Sequence, residues 1–273
     1  MSRGQQLLPA PVPFAGRADS SGSDMTSFAF KRGRAVSAVQ ALLLLIAAAV
    51  AGATTLIAAR FEGGVVIGAD SRTSQGSFVA NRLTDKIAPV APSIFLARSG
   101  SSADTQFVVG VIEAKMEAYR TEFGRSPPVR AAATATRNLC YGNKDQLSAG
   151  IICAGWDARE GGAVFSIPQG GSLLEQPFAV SGSGSVYALG YCDENLRPGL
   201  KREECVSHVQ RALEMAVSRD GASGGVIRLC VVSAKGVERW TVVPGAPGTA
   251  AAAAAGEGRD GRREAGGGSG GGG

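Results

Sequence analysis

Three residues in the first third of the chain could together activate a nucleophile without a histidine. Thr54 begins a short apolar run, Asp70 ends the next run, and Lys86 follows soon after. A threonine at a chain start carries a hydroxyl and a free α-amine, and an amine with a pKa of about 8 can take the hydroxyl proton. A lysine held by an aspartate would lower the pKa of the attacking group. This combination indicates an N-terminal threonine nucleophile.

A hairpin is the element that must position these side chains. Residues 54–61 and 65–72 are β-leaning runs separated by Glu62-Gly63-Gly64, which is a hairpin signal. A hairpin brings the start of its first strand beside the end of its second, so we expect Thr54 to lie near Asp70. Asp70 and Lys86 could alternatively form a purely structural ion pair, the commoner role of such residues. Their combination with Thr54 favours the catalytic interpretation.

The chain lacks the residues that other common catalytic mechanisms need. His208 is the single histidine, so catalytic triads and multi-histidine metal sites are not favoured, and we expect it to pack on an amphipathic helix. Gly221–Gly225 fits the G-x-S-x-G pattern around Ser223, but that fold places its histidine after the serine and none follows. The Gly182-Ser183-Gly184 turn is interpreted as a plain turn unless the threonine site recruits it.

Composition narrows the class of protein further. Of the 273 residues, 44% are hydrophobic, and residues 54–244 hold 20 Lys/Arg against 18 Asp/Glu. This near-neutral segment has no electrostatic footprint for nucleic acid. The odd, widely spaced set of five cysteines predicts reduced, mostly buried thiols and a reducing compartment. Its members are Cys140, Cys153, Cys192, Cys205 and Cys230.

Both ends of the chain differ in composition from the middle. Residues 1–53 form a leader with a Ser-, Gly- and Pro-rich start, typical of disorder, and an apolar run at 41–50 after basic residues. The run fits a secretory signal, a propeptide that the domain itself removes at the same Ala53–Thr54 bond, or a borderline membrane span. Residues 245–273 are an Ala- and Gly-rich tail that we expect to be disordered.

The order of predicted elements is strands, two helices, strands, two helices and strands. We expect helices at about 101–123, 128–138, 187–191 and 201–218. Strands are expected at 94–98, at 149–156 with 162–167, and in a closing hairpin at 226–232 with 237–243. Strand groups that alternate with helix pairs predict two sheets packed face to face with helices outside.

Several motifs between Thr54 and Val243 resemble one known family. They are Thr54-Thr55, Gly63–Arg72, Thr84-Asp85-Lys86, Arg98–Ser101 and Asp220–Gly225. Together they resemble a catalytic β-type subunit of the eukaryotic 20S proteasome, within the N-terminal nucleophile hydrolase superfamily. The resemblance implies an α+β fold, the four-layer αββα sandwich of that superfamily, over a peptidase domain at 54–244.

The resemblance also implies roles for individual residues. Thr54 would be the nucleophile and its own amine the base, with Asp70 and Lys86 tuning it. The Gly100 backbone N–H would face the oxyanion. The supporting residues around the amine would be Ser183, Asp220 and Ser223.

Arg98 would lie at the base of the pocket for the substrate residue that precedes the cut, with Thr73 and Thr84 also contacting substrate. An arginine there is typical of the caspase-like subunit, since a guanidinium favours an Asp or Glu carboxylate. The alternative for Arg98 is an internal salt bridge. Ala53 departs from the glycine that usually precedes the nucleophile in the family, which bears on self-cleavage.

The implied protein is a threonine endopeptidase in the stacked heptameric rings of a particle. Its partners would be other α and β subunits, unfolded polypeptide and, through the assembled core, a regulatory particle. No metal, cofactor, nucleic acid or membrane is expected, and the location would be cytoplasmic and nuclear. Two alternatives remain: a non-catalytic structural β subunit, and a secreted or membrane-anchored hydrolase. The absence of an N-x-[ST] sequon weighs against the secreted form.

Overall fold

The computed structural model of the protein describes residues 54–75 and 78–244. The expectations for the leader, for Ala53 and for the tail lie outside the described residues. Within them, no helix is long and apolar enough to cross a membrane.

The described residues form twelve strands and four helices. The strands are β1 (Leu56–Phe61), β2 (Gly64–Asp70), β3 (Thr73–Gln75), β4 (Phe78–Asn81), β5 (Ile87–Ala91), β6 (Ile94–Gly100), β7 (Ala149–Asp157), β8 (Gly161–Ile167), β9 (Leu174–Glu175), β10 (Phe178–Ser181), β11 (Ile227–Ser233) and β12 (Gly236–Val242). The helices are α1 (Ser102–Phe123), α2 (Val129–Gly142), α3 (Ser185–Asn195) and α4 (Arg202–Arg219).

Two five-stranded antiparallel sheets hold most of the strands. The first has the order β10-β1-β2-β11-β12, and the second has the order β5-β6-β7-β8-β9. The predicted opening hairpin is confirmed, because β1 pairs with β2 from Leu56 opposite Ala69 to Phe61 opposite Gly64. Gly63 turns the chain at φ +97°, a backbone angle that favours glycine. This register sets the first residues of β1 beside the last residues of β2.

Each sheet packs one face against a pair of helices. Helices α1 and α2 contribute Val108, Ile112 and Val129 to a hydrophobic cluster with residues of the second sheet such as Ile151 and Phe165. Helices α3 and α4 contribute to a matching cluster with the first sheet. Its members include Ala188, Val209, Leu213, Ile57 and Leu229. Burial of these apolar faces is the main force that holds the helices on the sheets.

A third hydrophobic cluster combines side chains from both sheets. Leu56, Ile67 and Cys230 from the first sheet pack with Phe95 and Ile152 from the second. Since side chains alternate across a strand, the same strands fill this cluster with one face and a helix-covered cluster with the other. The two sheets therefore share a core, as the element order predicts.

The ends of the helices follow local signals in part. Ser101 precedes α1 and its hydroxyl accepts the Asp104 N–H at 3.4 Å, as the capping pattern predicts, and Gly124 ends the helix at φ +62°. The predicted ends of two helices were wrong. α2 continues to Gly142 rather than residue 138, and α3 continues to Asn195 rather than residue 191. Both extensions bury a cysteine, Cys140 and Cys192 respectively, so packing sets these ends.

The thiols and the histidine lie as the sequence predicts. All five cysteines are free and buried. His208 is partly buried on α4, where its Nδ1 lies 2.9 Å from the Tyr191 hydroxyl of α3. Among the described residues, no cluster of histidine, cysteine or carboxylate side chains could hold a metal ion.

Candidate active site

The candidate nucleophile lies where the ends of several strands meet. Thr54 precedes β1, Asp70 ends β2, and Lys86 directly precedes β5 of the second sheet. The Asp70 backbone N–H donates to the Thr55 carbonyl at 3.2 Å, which joins the ends of the hairpin. The pairing of β1 with β2 thus brings Thr54 beside Asp70, and the start of the second sheet brings Lys86 to both.

A buried lysine bridges the threonine and the aspartate. Lys86 Nζ donates to Asp70 Oδ1 at 2.7 Å and to Thr54 Oγ1 at 3.0 Å. Thr54 and Lys86 are each 4% exposed and Asp70 is 0% exposed. An ammonium at this distance from a hydroxyl stabilises negative charge that develops on the oxygen. The three residues are together, as the sequence predicts, and their catalytic roles stay predictions.

Backbone donors hold the Asp70 carboxylate in place. Oδ1 accepts the Thr55 N–H at 2.9 Å, and Oδ2 accepts the N–H groups of Arg72 at 3.1 Å and Gly224 at 3.0 Å. Hydrogen bonds of this kind offset the cost of burying a carboxylate. The Asp70 side chain is therefore held in a fixed position, and Lys86 is oriented on it.

Opposing effects act on the charge of Lys86. Burial lowers its pKa below the ordinary lysine value, while the charge and hydrogen bond of Asp70 oppose that shift. Arg98 lowers the pKa further and Asp220 raises it. Since the net shift is downward, the protonation of this amine depends closely on its neighbours.

A second carboxylate lies on the other side of Thr54. Asp220 follows α4, and its Oδ2 accepts the hydroxyls of Ser183 at 2.7 Å and Ser223 at 2.6 Å. Its Oδ1 accepts the Ala222 N–H at 3.0 Å. Burial raises the pKa of Asp220, but these hydrogen bonds outweigh it and the net pKa is lowered. The carboxylate is thus held charged by hydroxyl and amide donors.

The turn before α3 connects this carboxylate to Thr54. The Thr54 nitrogen donates to Ser183 Oγ at 3.2 Å, and the Thr54 carbonyl accepts the Gly184 N–H at 3.2 Å. Gly182 has φ +90°, and a Cβ there would collide with the Thr54 carbonyl oxygen. The Gly182–Gly184 turn therefore forms part of the threonine site. The sequence predicts a plain turn unless the threonine site recruits it, and the second case holds.

Gly100 ends β6 in a conformation that requires glycine. Its φ is +103°, and a Cβ would collide with the Ser148 carbonyl. The neighbouring Ser101 N–H donates to that same carbonyl at 2.8 Å. The backbone is therefore closely constrained here, while its action as an oxyanion donor stays a prediction.

Arg98 of β6 donates through Nη2 to the Asp85 backbone carbonyl at 2.8 Å. Among the ion pairs of the described residues Arg98 has none, since the Asp85 carboxylate pairs with Arg239 at 2.8 Å. The internal salt bridge proposed as the alternative is therefore not seen there. The Arg98 Nε is buried and has no hydrogen-bond partner among the described residues. Burial lowers the pKa of the guanidinium, and the negative charge of Asp85 opposes that shift. Arginine still remains protonated at neutral pH.

The two predicted substrate-binding threonines contact each other. Thr73 Oγ1 donates to Thr84 Oγ1 at 2.8 Å, and the Thr84 N–H donates to the Ser71 carbonyl at 3.0 Å. This joins the chain after β2 to the segment before Lys86. Their contact with substrate stays a prediction.

Sequence reasoning missed two residues that build the site. Thr55 contacts both Asp70 and Ser223, and Arg72 donates to the Gly221 carbonyl at 2.9 Å while its guanidinium packs on Gly224. Both lie inside quoted motifs, but Ser223 is 168 positions from Thr55 and Gly221 is 149 positions from Arg72. No local spacing could have indicated those contacts.

The fold and the site define a mixed α/β domain with a buried threonine, lysine and aspartate where its two sheets meet. A family model described as "Proteasome subunit" matches residues 50–232. The chain belongs to the proteasome subunit family, and it resembles β-type members.

The chain aligns with most of the length of curated relatives from three organisms. Proteasome subunit beta type-6 of Dictyostelium discoideum is 48% identical over 192 residues, which are 70% of this chain and 89% of that protein. Proteasome subunit beta type-1 of Saccharomyces cerevisiae is 46% identical over 191 residues, 70% of this chain and 88% of that protein. Proteasome subunit beta type-9 of Homo sapiens is 45% identical over 190 residues, 70% of this chain and 86% of that protein.

Proposed function

We propose that the chain is a threonine endopeptidase subunit of the 20S proteasome core that cleaves unfolded polypeptide after acidic residues. The observation that carries this proposal is the buried Lys86 ammonium, which contacts both Thr54 Oγ1 and the Asp70 carboxylate. A threonine with this environment has an activated hydroxyl and needs no histidine.

The family places the chain among other α and β proteasome subunits in the 20S core. We further propose stacked heptameric rings, a regulatory particle that acts through the assembled core, and a cytoplasmic and nuclear location. The peptidase domain would span 54–244 as a four-layer αββα sandwich. Two sheets with a shared core and a helix pair against each sheet support that arrangement.

In the proposed reaction, cleavage before Thr54 first frees its α-amine. The amine takes the Thr54 hydroxyl proton while Oγ1 attacks the scissile carbonyl carbon, and the Gly100 N–H binds the oxyanion. The amine then gives its proton to the leaving amine of the substrate, which leaves an ester on Thr54. Water, deprotonated by the same amine, hydrolyses the ester and restores the hydroxyl. Lys86 stays charged throughout and stabilises the oxygen.

Arg98 supports the preference for acidic residues. Its guanidinium forms one bond to a backbone carbonyl and no ion pair among the described residues, so its charge is available to a substrate carboxylate. A planar guanidinium can bind such a carboxylate through two parallel hydrogen bonds. We infer that Asp or Glu occupies this position in substrates.

Replacement of the nucleophile tests the proposal. Core particles that contain Thr54→Ala as their copy of this chain should lose cleavage of fluorogenic peptides after Glu, since no oxygen nucleophile remains. Mass spectrometry of the same chain should show the leader still attached if the domain cuts itself. Thr54→Ser, which retains a hydroxyl, is the control and should keep cleavage and processing.

Two outcomes would favour other functions. Unchanged cleavage after Glu in Thr54→Ala particles would contradict a catalytic Thr54 and favour a non-catalytic structural subunit, an alternative that Ala53 in place of glycine supports. Removal of the leader from the Thr54→Ala chain would indicate a signal peptidase and favour a secreted protein.

A further inference from the structure

Thr55, the residue after the candidate nucleophile, contacts the hydrogen-bond networks on both sides of Thr54. Its N–H donates to Asp70 Oδ1 at 2.9 Å, and its carbonyl accepts the Asp70 N–H at 3.2 Å. Its hydroxyl lies 2.7 Å from Ser223 Oγ, and the residue is 0% exposed. Thr55 therefore connects the carboxylate that holds Lys86 with the group around Asp220.

The direction of each hydrogen bond around Asp220 follows from the donors available. An ionised carboxylate only accepts, so Ser223 donates its one hydroxyl proton to Asp220 Oδ2. Ser183 Oγ lies 2.7 Å from Asp220 Oδ2 and 3.4 Å from the Thr54 carbonyl oxygen, and the shorter distance to the carboxylate assigns its proton to Asp220. Ser223 Oγ can then only accept from Thr55, which makes the Thr55 hydroxyl a donor. By the same logic Ser183 Oγ accepts from the Thr54 N–H, the peptide group that becomes the α-amine once the chain is cut before Thr54.

Close packing fixes the Thr55 hydroxyl in this orientation. A Cβ at Gly184 would collide with Thr55 Oγ1, so the turn that carries Ser183 lies directly on the Thr55 side chain. The same turn binds the Thr54 carbonyl through the Gly184 N–H. Thr55 thus contacts both the segment that holds Ser183 and the segment that holds Ser223.

We propose that Thr55 is a positioning residue for the Thr54 reaction. Its buried hydroxyl orients Ser223 so that Asp220 is shared evenly between two serines, which sets how strongly Ser183 binds the Thr54 nitrogen. This inference rests on the proposed function, because it concerns the base of that reaction.

Loss of the Thr55 hydroxyl has an electrostatic consequence with a definite sign. Ser223 becomes a weaker donor, and Asp220 then exerts more of its negative charge on Ser183 and the Thr54 nitrogen. Stronger negative charge stabilises the protonated amine, which cannot act as the base. The other charged groups that face the site, Asp70, Lys86, Arg98 and Arg72, keep their side chains. The acidic limb of the kcat/KM profile should therefore move to higher pH.

The test compares variants of Thr55 in assembled core particles with fluorogenic peptides cut after Glu. Thr55→Val removes the donor at nearly constant volume and should lower kcat roughly twofold to tenfold, the effect of one buried hydrogen bond, with KM unchanged. Thr55→Ser should restore both kcat and the pH profile, and Thr55→Cys, a weak donor, should fall between them. Thr136→Val is the matched control, since Thr136 is also fully buried and its hydroxyl donates to the Ala132 carbonyl within α2 at 2.8 Å.

The outcomes separate this inference from the proposed function. A Thr55→Val particle with the kcat and acidic limb of the unmodified particle overturns the role of Thr55, and so does an equal shift in Thr136→Val. If Thr55→Val particles do not assemble, Thr55→Cys decides by the same criterion. Cleavage after Glu that survives Thr54→Ala overturns the proposed function itself, whatever Thr55 does.

Discussion

The contacts of Arg98 allow an estimate of how strongly it favours an acidic residue in the substrate. The guanidinium is half-buried, donates to one backbone carbonyl, and has no carboxylate partner within the described residues. Hydrogen bonds to charged groups contribute about 1.5–3 kcal/mol, which corresponds to roughly 10-fold to 150-fold in kcat/KM. Because solvent screens a half-buried charge, we expect the lower part of that range for Glu over a neutral residue of similar size.

The perturbation is Arg98→Met, which keeps an unbranched apolar stem and removes the charge. The kcat/KM for peptides cut after Glu should fall roughly 10-fold or more relative to peptides cut after Gln in the same particles. Arg98→Lys should keep part of the preference, since an ammonium is charged but lacks the guanidinium fork. Arg239→Met is the matched control, because Arg239 lies near the same segment and pairs with the Asp85 carboxylate.

Two results would refute this reasoning about Arg98. An unchanged ratio of Glu to Gln cleavage in Arg98→Met would show that the guanidinium does not contact the substrate carboxylate. An equal fall in Arg239→Met would assign the preference to the general field of the site rather than to Arg98. A fall confined to Arg98→Met supports the direct contact.

Two further predictions concern the packing of the site and of the core. Gly182→Ala should lower cleavage after Glu roughly 10²-fold, because its Cβ would displace the Thr54 carbonyl. Gly199→Ala is the control, since Gly199 has a similar positive φ and open space around it, and it should leave cleavage unchanged. Equal losses in the two variants would contradict the argument. Iodoacetamide at a pH of about 8 should label none of the buried thiols whose pKa is about 12 until the chain unfolds, since only the thiolate reacts, and mass spectrometry that finds native labelling would contradict their burial. They are Cys153, Cys192, Cys205 and Cys230.

The strands that could be predicted are those with clear local signals. The opening and closing hairpins and the β7–β8 pair have apolar runs separated by short turns, and the structure has all of them. β5 was missed because Pro89 interrupts its short run, and the structure accommodates that proline where the register with β6 shifts. β10 was missed because it is only four residues long and gains its partner from β1, far away in the chain.

The candidate site was predictable to different degrees on its two sides. Thr54 and Lys86 are only 32 positions apart, and one hairpin brings Thr54 beside Asp70, so spacing predicted that first contact. Lys86 was predicted because its combination with Thr54 and Asp70 favours a catalytic role. The roles of Ser183, Asp220 and Ser223 beside Thr54 were predicted only from the family resemblance. Ser183 contacts Thr54 across 129 positions and Ser223 contacts Thr55 across 168 positions, separations at which local patterns carry no information.

The two sides of the site together explain how one threonine could supply both the nucleophile and the base. The Thr54 oxygen lies 3.0 Å from the Lys86 ammonium, while the Thr54 nitrogen donates to Ser183, whose own proton points to the Asp220 carboxylate. Positive charge beside the oxygen favours loss of its proton, and negative charge near the nitrogen favours gain of one. In the proposed reaction the proton therefore moves from oxygen to nitrogen along the direction that the surrounding charges favour. Reversal of either charge should slow that transfer even where the distances stay the same.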